Sequence, residues 1–438
     1  MIERRVIRLN PAGGNASLAL VAAGLVAVAS VAVAAGAGSS PAPSLQLVET
    51  FPIETLLDHP ELPDAHDVWP AMIGAAERSL DFAEFYASSA PGSRLESVIA
   101  AIEAAAARGV RVRFLAEEKF YRTYPETLDR LAARPNIEVR RYDVGSRMGG
   151  VLHAKYFVVD DREAFLGSQN FDWRSLTHIQ ELGVRVSEPA IVSAVSDVFA
   201  LDWALAGGAD LAAARAESAG RPSRVSPLGE PPSGVSPGAA TVVTPAGGDS
   251  VRISMVASPR DWLPDGVPWD LPRIVALIDG ARASVRVQLL TYRTTDRDGT
   301  YFDALEIALR RAAARGVRVQ LLAADWSKRS GTIEGLQSLQ ALPEVEVKLT
   351  TIPQWSGGFI PFARVSHAKY LVIDGHACWI GTSNWEKSYF HDSRNLGLIV
   401  EGGPVPPALD RYFVTGWESP YAVAVDPCAR YEPPRIGE

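Results

Sequence analysis

The sequence contains one structural unit twice. The segment Ala107–Val112 recurs as Ala314–Val319, and the longer segment Val151–Asp160 recurs as Val365–Asp374. The first pair is separated by 207 residues and the second by 214. Two copies of one unit that differ by a short insertion explain both matches, because self-similarity at a nearly fixed spacing is typical of duplicated architecture. Any fold predicted for this chain must therefore be one that can form twice.

Each copy predicts the same order of secondary-structure elements. A strand precedes an alanine-rich amphipathic helix, which an Arg-Gly pair ends, and a second strand, a second helix and the strand of the longer motif follow. The first strand, the first helix and the second strand are predicted over Ser79–Tyr86, Leu95–Arg108 and Val110–Ala116, and again over Ser284–Tyr292, Phe302–Arg315 and Val317–Ala323. This alternation predicts an α/β fold with a largely parallel or mixed sheet and helices on both faces.

The repeat also predicts the domain organisation. An N-terminal segment over residues 1–40 precedes a first half over 41–217, and a second half follows over 249–438. Residues 218–248 between the halves are rich in Pro, Gly and Ser and show little apolar periodicity. We therefore predict a linker or a long surface loop there.

The N-terminal segment predicts export of the rest of the chain. Residues Ala16–Gly38 carry no charge, and as a helix rising about 1.5 Å per residue they would just cross a bilayer. Arg4, Arg5 and Arg8 precede this run and favour a single-pass type II anchor with a cytoplasmic N-terminus. A cleaved signal peptide is the alternative, because Ala35–Ala37 fits a small-residue processing site. In both cases the body is predicted on the non-cytoplasmic side.

Composition excludes several classes of protein. The net charge of -8 argues against a globally basic coat for nucleic acid, although it leaves a local basic cleft open. Two cysteines, Cys378 and Cys428, exclude a disulfide framework and a cysteine-rich zinc module, and their pairing is left open. The sequence shows no ligand spacing for a metal, so we predict neither a metal nor a cofactor. The histidines outside the motif are interpreted as surface or core residues: His59, His66, His178, His376 and His391.

The longer motif carries the side chains that can do chemistry. Alternate side chains of an extended strand share a face, so His153 is predicted beside Lys155, and His367 beside Lys369. Each histidine is followed at the same distance by a Gly-[Ser/Thr]-x-Asn segment, predicted to come after the next strand and to reach an anionic group. These segments contribute Ser168 and Asn170 in the first copy and Thr382 and Asn384 in the second.

The aspartates of the motif have a different predicted place. Asp160 and Asp374 are an odd number of residues from their histidines, so they face the other way or lie at the strand end. We therefore predict a supporting role for both.

Lysine usage sharpens the interpretation of the motif. Only six of the forty-three basic residues are lysine, and both motifs contain one of the six. A compact ammonium suits single phosphate oxygens, whereas arginine suits bidentate contacts. A single His-x-Lys could be a solvated strand face, but two copies with the same following segment indicate a functional site.

His-x-Lys-x4-Asp followed by Gly-[Ser/Thr]-x-Asn, twice in one chain, resembles the phospholipase D superfamily of phosphodiesterases. The resemblance implies two pseudo-twofold-related α/β/α sandwich halves whose motifs meet in one central active site. The sequence around the motifs is similar to that of the type II anchored lysosomal phospholipase D-like 5′ exonucleases of animals. The segments that carry this closer resemblance are Gly167–Thr177, Glu181–Val184, Ala363–Val365, Gly381–Trp385 and Trp417–Tyr421.

The two histidines can divide the cleavage of a phosphodiester between them. One attacks phosphorus as a neutral imidazole and forms a phosphohistidine, and the other protonates the leaving oxygen. Lys155, Lys369, Asn170 and Asn384 are predicted to hold the phosphoryl oxygens. Ser168 and Thr382 are weaker candidates for the same contact.

The copies differ at one informative position. Glu181 lies twenty-eight residues after His153, whereas Asn395 is the equivalent residue after His367. A carboxylate on the far ring nitrogen would stabilise the charge of a phosphohistidine, which predicts His153 as nucleophile and His367 as general acid. The alternative is that Glu181 pairs with an arginine at the surface.

Three functions compete at this point. The leading prediction is an exonuclease that shortens single-stranded DNA or RNA from the 5′ end. A phospholipase D or phosphatidyltransferase is the alternative, because the anchor keeps the site near lipid headgroups. Intact His, Lys and Asn in both copies argue against a binding module without catalysis. The expected partners are therefore single-stranded nucleic acid or phospholipid as substrate, and a membrane through residues 1–40, with the oligomeric state open.

Overall fold

The computed structural model describes residues 45–220, 241–246, 249–296 and 298–437. In the first half the strands are β1 (Leu45–Thr50), β2 (Ser79–Glu84), β3 (Ala87–Ser88), β4 (Arg111–Glu117), β5 (Ile137–Tyr142), β6 (Tyr156–Val159), β7 (Glu163–Gly167), β8 (Phe171–Asp172) and β9 (Glu181–Val186). The helices are α1 (Ala65–Gly74), α2 (Arg94–Ala107), α3 (Glu118–Tyr121), α4 (Glu126–Ala132), α5 (Val144–Met148), α6 (Ser175–His178), α7 (Pro189–Ala206) and α8 (Leu211–Ala219).

The second half repeats this order. Its strands are β10 (Thr241–Ala246), β11 (Asp249–Ser258), β12 (Ser284–Leu289), β13 (Arg318–Ala324), β14 (Val345–Thr350), β15 (Tyr370–Ile373), β16 (Ala377–Gly381), β17 (Asn395–Glu401) and β18 (Ala422–Ala424). Its helices are α9 (Asp270–Gly280), α10 (Ala304–Ala314), α11 (Ile333–Gln340), α12 (Lys387–His391) and α13 (Val405–Glu418). Short 3₁₀ turns cover Arg260–Trp262 and Asp325–Lys328.

The two large sheets have the same strand order. The first runs β1-β9-β7-β6-β2-β4-β5, and the second runs β11-β17-β16-β15-β12-β13-β14 with β10 and β18 added at its edges. In both sheets the last three strands of the shared order are parallel to one another and the others pair antiparallel. The predicted α/β fold with mixed sheets and two related halves is confirmed.

The predicted amphipathic helices form as the sequence pattern requires. In α2 the buried residues Leu95, Val98, Ile99 and Ile102 recur at helical spacing, so they share the face that packs on the sheet. The helix ends where Gly109 takes a φ of 96°, which costs a residue without a Cβ little. The same stop recurs at Gly316, where φ is 82°.

The halves share one hydrophobic core. Phe199 of α7 and Phe413 of α13 belong to a single cluster with Leu166 of the first sheet and Ile380 of the second. Separate cores cover the outer faces, under α1 and α2 in one half and under α9 and α10 in the other. Residues Pro43–Glu438 accordingly form one compact unit, in which the segments before β6 and β15 form short bridges to the opposite half.

The predicted linker contains regular structure at both ends. Residues Ser218 and Ala219 belong to α8, and Thr241–Ala246 forms β10, which pairs with β11. Residues 221–240 and 247–248 lie outside the described residues. The proposed halves 41–217 and 249–438 remain a prediction.

The predicted anchor, Ala16–Gly38, also lies outside the described residues. Within the described part, α7 is long and apolar enough to cross a membrane, but 78% of its apolar window is buried inside the protein. That burial is typical of the core helix of a globular body. The cysteines do not pair, because Cys378 is buried in β16 whereas Cys428 is exposed, and both are free thiols.

Candidate active site

The His-x-Lys segments lie just before strands β6 and β15, not inside them as predicted. Strand pairing begins at Tyr156 and Tyr370, one residue after each lysine. The segments are extended because their backbones bond to the other half of the molecule. The amides of His153 and Ala154 donate to the carbonyl oxygen of Arg394, at 2.9 and 2.8 Å.

The second motif is held in the same way by the first half. The amides of His367 and Ala368 donate to the carbonyl oxygen of Gln180, at 2.8 and 3.1 Å. Arg394 and Gln180 directly precede β17 and β9, so each motif completes a short bridge with the chain that enters a strand of the opposite half. Both catalytic candidates therefore take their backbone positions from the other half.

The side-chain partners of the histidines also cross between the halves. His367 Nδ1 donates to Glu181 Oε2 at 2.8 Å, and His153 Nδ1 donates to Asn395 Oδ1 at 3.0 Å. The predicted partnership of Glu181 with His153 is therefore wrong. The expectation paired Glu181 with the histidine of its own copy of the repeat. In the two-fold arrangement, each histidine bonds to a residue of the other copy. The surface-arginine alternative is also wrong, because Glu181 is fully buried.

Both partners are oriented by further hydrogen bonds. Glu181 Oε1 accepts a hydrogen bond from Ser175 Oγ at 3.0 Å. Asn395 Nδ2 donates to the carbonyl oxygen of Tyr389 at 2.8 Å, so its Oδ1 is the atom left to accept from His153. The two histidines thus present Nε2 as the free ring nitrogen, one backed by a charged acceptor and the other by a neutral one.

Both motif lysines are buried beside the histidines of their own motifs. Lys155 and Lys369 are each 1% exposed, and each Nζ donates to the carbonyl oxygen of the histidine two residues earlier. Burial lowers the pKa of Lys155 well below its usual value, and Lys369 nearby lowers it further. Burial lowers the pKa of Lys369 to about 7, against the opposing charge of Glu181.

The histidines respond to the same surroundings. Burial lowers the pKa of His153 well below its ordinary value, and Lys155, Lys369 and His367 lower it further. Burial also lowers the pKa of His367, while the Glu181 carboxylate acts in the opposite direction. Both motifs belong to one site, because each histidine ring and each histidine backbone amide bonds to a residue of the opposite half.

The Gly-[Ser/Thr]-x-Asn segments divide into two roles. Asn170 and Asn384 are buried after β7 and β16, and within the described residues their Oδ1 atoms have no hydrogen-bond partner. Such unpartnered buried amides suit a ligand contact, so their predicted role stays open to test.

The hydroxyls of the same segments have structural partners. Ser168 Oγ accepts from the amide of Leu182 at 3.0 Å, and Thr382 Oγ1 donates to Asn395 Oδ1 at 2.8 Å. Both hydroxyls are fully buried against the neighbouring strand. Thr382 therefore positions the acceptor of His153, and the weaker expectation that Ser168 and Thr382 hold phosphoryl oxygens stays a prediction.

The motif aspartates lie at turns away from the histidines. Asp160 follows β6, and its carboxylate accepts the amides of Glu77, Arg78 and Ser79 at 2.7–2.9 Å. Asp374 accepts three amides in the same manner, from Arg282, Ala283 and Ser284. The expectation that they lie at the strand end with a supporting role matches this geometry.

We expect Asp160→Asn to lower the free energy of unfolding and to leave catalysis by the folded enzyme intact. Hydrogen bonds to a charged group are worth roughly 1.5–3 kcal/mol, and the amide group loses that charge. Burial alone would raise the pKa of Asp160, but the three backbone donors outweigh it and hold the pKa below its ordinary value. The stabilisation is therefore present above about pH 4 and lost as pH falls through the lowered pKa.

Urea denaturation at pH 7 and at low pH measures this effect. Asp374→Asn is the repeat-related variant and should behave alike, and Asp58→Asn, at an exposed position, is the control. Wild-type stability combined with lost activity in Asp160→Asn would contradict the structural role.

Lys369 should give the enzyme an alkaline limb in its pH profile. With a pKa of about 7, Lys369 loses its charge as pH rises through neutrality, so kcat/KM should fall. Lys369→Arg keeps the cation, and its limb should move to higher pH even if the rate is lower. Lys348→Arg, which alters a lysine packed on Trp417, is the matched control. An unmoved limb in Lys369→Arg would assign the titration to another group.

Sequence reasoning missed several residues of the site. Glu84 ends β2 opposite Lys155 when the register of β2 and β6 is continued by one residue. It is 2% exposed, and within the described residues one of its carboxylate oxygens has no hydrogen-bond partner. Burial raises the pKa of Glu84 well above its usual value, and Lys155 opposes this shift. Leu289 occupies the equivalent position of the second half. One sequence signal could have identified Glu84: it is a charged residue at the end of a buried strand, and the other copy of the repeat has no charge there.

A buried ion pair fixes the segment that carries Arg394. Its guanidinium bonds to the Asp202 carboxylate of α7 in the other half, with the shortest distance 2.8 Å, and neither side chain is exposed. It also donates to the carbonyl oxygens of Ser258 and Trp262, at 2.8 and 2.6 Å. The side chain thus anchors the carbonyl that holds His153.

The remaining histidines fit their predicted places. His59 is buried against Glu49, with Nδ1 2.9 Å from Oε2, and burial lowers the pKa of the buried His178 to about 4. Within the described residues one group could geometrically hold a cation, formed by Asp64, His66 and Asp67 at the start of α1. These residues are half-buried or exposed and belong to neither motif.

Comparisons with known proteins agree with this architecture. The family model described as "Cardiolipin synthase, PLD-like domain" matches residues 70–203 and 274–417, one match in each half. The chain therefore belongs to the phospholipase D-like family, as the sequence resemblance predicted.

Individual relatives cover most of the chain. The Bos taurus protein named 5'-3' exonuclease PLD3 is 29% identical over 421 residues, which are 89% of this chain and 83% of that protein. Phospholipase D Z of Dictyostelium discoideum is 28% identical over 402 residues, covering 87% and 91% of the two chains. The crystal structure of phosphatidylserine synthase from Haemophilus influenzae Rd KW20 aligns with a TM-score of 0.55 over 82% of this chain and 85% of that one. At 11% identity this last likeness concerns the fold alone.

Proposed function

We propose that the protein is a phosphodiesterase that forms a phosphohistidine intermediate and shortens single-stranded DNA or RNA from the 5′ end. One observation carries the reaction: two buried histidines share a cationic site, and each Nδ1 is fixed by an acceptor from the opposite half. Fixing Nδ1 aims the lone pair or proton of Nε2 at substrate.

His367 is the proposed nucleophile. Its Nε2 attacks phosphorus, an N–P bond forms, and the bond to the 5′-oxygen of the next nucleotide breaks. Phosphorylation leaves a positive ring, and the Glu181 carboxylate 2.8 Å from Nδ1 stabilises that charge. From the sequence, the position of Glu181 predicted His153 as the nucleophile. Because Glu181 bonds to the ring of His367 instead, the same charge argument assigns the attack to His367.

His153 is the proposed general acid. Its neutral partner Asn395 leaves the imidazolium a stronger acid than a carboxylate partner would. Phosphate binding offsets the charges of Lys155 and Lys369, so arrival of substrate favours the protonated ring that the leaving oxygen needs. His153 then removes a proton from water, the water oxygen attacks phosphorus, and the N–P bond breaks to release His367 and a 3′-phosphate.

Lys155, Lys369, Asn170 and Asn384 are proposed to hold the non-bridging oxygens. The lysines and asparagines are buried next to the ends of interior strands, so their hydrogen bonds act in a site with little competing water. These groups supply the positive charge of the proposed reaction, for which no cofactor is invoked.

The polymer substrate is inferred from the relatives. Proteins named 5'-3' exonuclease align over 89% of this chain, and the reaction above would convert a 5′-hydroxyl strand into 3′-phosphorylated mononucleotides. We further propose that residues 1–40 anchor the chain as a type II membrane protein, with the body on the non-cytoplasmic side. A phospholipid substrate is the second candidate, because a relative is named Phospholipase D Z.

Product analysis of the full-length chain tests the proposal. A 5′-hydroxyl single-stranded oligonucleotide, the same strand in duplex, and vesicles of phosphatidylcholine and phosphatidylglycerol are incubated separately with EDTA present. We expect 3′-mononucleotides from the single strand, slower cleavage of duplex, and no headgroup release. The His153→Ala, His367→Ala double variant controls for contaminating nucleases. Intact oligonucleotide with released headgroup would replace the nuclease by the lipid enzyme.

A further inference from the structure

Four aromatic rings form a continuous row that begins at His153. Phe85 lies edge-on to His153 with ring centroids 5.1 Å apart, and Phe120 contacts Phe85 at 4.1 Å. Tyr86 stacks with Phe120 at 5.9 Å and with Tyr124 at 5.2 Å. We call these residues the aromatic row. Its inner end belongs to the site, because Lys155 Nζ lies 5.0 Å from the centre of the Phe85 ring.

All four rings are partly open to solvent, unlike the core aromatics of the same sheet. The outer end of the row is firmly supported. Arg174 lies 5.8 Å from the centre of the Tyr124 ring, and its guanidinium is bonded to the buried Asp172 carboxylate. Half-exposed rings on a fixed base are a surface that can accept a flat ligand without rearrangement.

The four positions of the row are not aromatic in the second copy of the repeat. Residues aligned with its members by strand register and by the repeat are smaller and non-aromatic: Leu290, Thr291, Ser327 and Gly331. Leu290 is buried in a hydrophobic cluster with Ala363 and Val365, which directly precede the second motif. The two halves therefore repeat the histidines and lysines but not the four residues of the row. Other aromatic rings lie on the second side: Tyr389 contacts His153 with ring centroids 4.8 Å apart, and Trp326 and Trp355 pack against the cluster that contains Leu290.

We infer that the aromatic row stacks the unpaired base of the second nucleotide, whose 5′-oxygen is the leaving group. The inference rests on the proposed function and on His153 as the acid. That acid must lie beside the leaving oxygen, and the row starts at the same ring. Stacking on aromatic side chains accepts every base, so it fits an exonuclease that must move through any sequence. Base pairing would hide the face that stacks, which disfavours duplex.

Substrates that lack one base test the inference without altering the protein. The full-length chain is given 5′-hydroxyl oligonucleotides with a tetrahydrofuran abasic residue at nucleotide 1 or at nucleotide 2. Removing the second base should lower kcat/KM for the first cleavage by roughly tenfold or more, the size of one stacking contact. Removing the first base should change it much less. Equal penalties at both positions, or a larger penalty at nucleotide 1, would overturn the inference.

Two variants connect the effect to the row. In Phe120→Leu the penalty for the missing second base should shrink, because the stacking surface is already lost. Tyr121→Leu is the matched control, since this neighbour in α3 packs its ring against Arg141 instead. An undiminished penalty in Phe120→Leu, with Tyr121→Leu at wild type, would place the base elsewhere.

The outcomes separate this inference from the proposed function. If unmodified single strands are cleaved normally and the abasic position makes no difference, the aromatic row is not a base site and the nuclease stands. If unmodified strands are not cleaved at all, the proposed function fails and this inference fails with it.

Discussion

His367→Ala should abolish cleavage whatever the leaving group, whereas His153→Ala should be rescued by a leaving group that needs no proton. On an oligonucleotide both variants lose activity, the acid alone contributing roughly 10²- to 10⁴-fold. A thymidine 3′-(4-nitrophenyl phosphate) ester expels a stable phenolate. His153→Ala should therefore release one equivalent of phenolate in a burst and then stall, because water is no longer activated.

Alkaline quenching of the stalled enzyme should recover His367 bonded to a thymidine 3′-phosphoryl group, because the N–P bond of a phosphohistidine is stable in alkali and labile in acid. His376→Ala, at an exposed histidine outside the site, controls for loss of an imidazole. A burst in His367→Ala combined with none in His153→Ala would reverse the two roles, and bursts in both would end the assignment of a single nucleophile.

Glu181→Gln should lower kcat by roughly 10²- to 10⁴-fold, since removing the charge behind a catalytic imidazole has a cost of that order in a serine protease. The substitution nearly preserves the shape of the side chain and its acceptor oxygen. Because the carboxylate supports the attacking ring, the nitrophenyl ester should not rescue this variant. Rescue by the ester would place Glu181 behind the acid.

Asn395→Asp is the complementary change. A carboxylate beside His153 raises the pKa of that ring, so the acid stays protonated to higher pH. The pH profile for oligonucleotide cleavage should shift upward, while the burst with the nitrophenyl ester changes little. An unshifted profile would contradict the role of His153 as acid.

The fold could be predicted from the sequence because the patterns that indicate its helices and strands are local and occur twice. The buried spacing in α2 and the positive-φ glycines after α2 and α10 need no knowledge of the other half. The motif aspartates could also be placed from the sequence, because their odd spacing from the histidines indicated that they lie away from the reacting groups. The two histidines and two lysines were predicted from repetition, and the structure brings them together.

What could not be predicted is the identity of partners across the pseudo-twofold. Spacing along the chain placed Glu181 with His153, but only the packing of one half on the other reveals its bond to His367. The Asp202–Arg394 pair and the Phe85–Phe120 contact likewise join residues from separate elements, with no sequence pattern linking them. Such contacts are properties of the assembled core.

Each half supplies hydrogen bonds that position the motif of the other half. Activity therefore requires both halves to be folded and docked. Each half lends the other a carbonyl, at Gln180 or Arg394, and an acceptor for the histidine ring. In a chain with only one half folded, the histidine rings would lack their hydrogen-bond partners and the lysines would remain solvated. Such a chain could not attack a phosphodiester. The chain is therefore expected to stay inactive toward phosphodiesters until its two halves have docked.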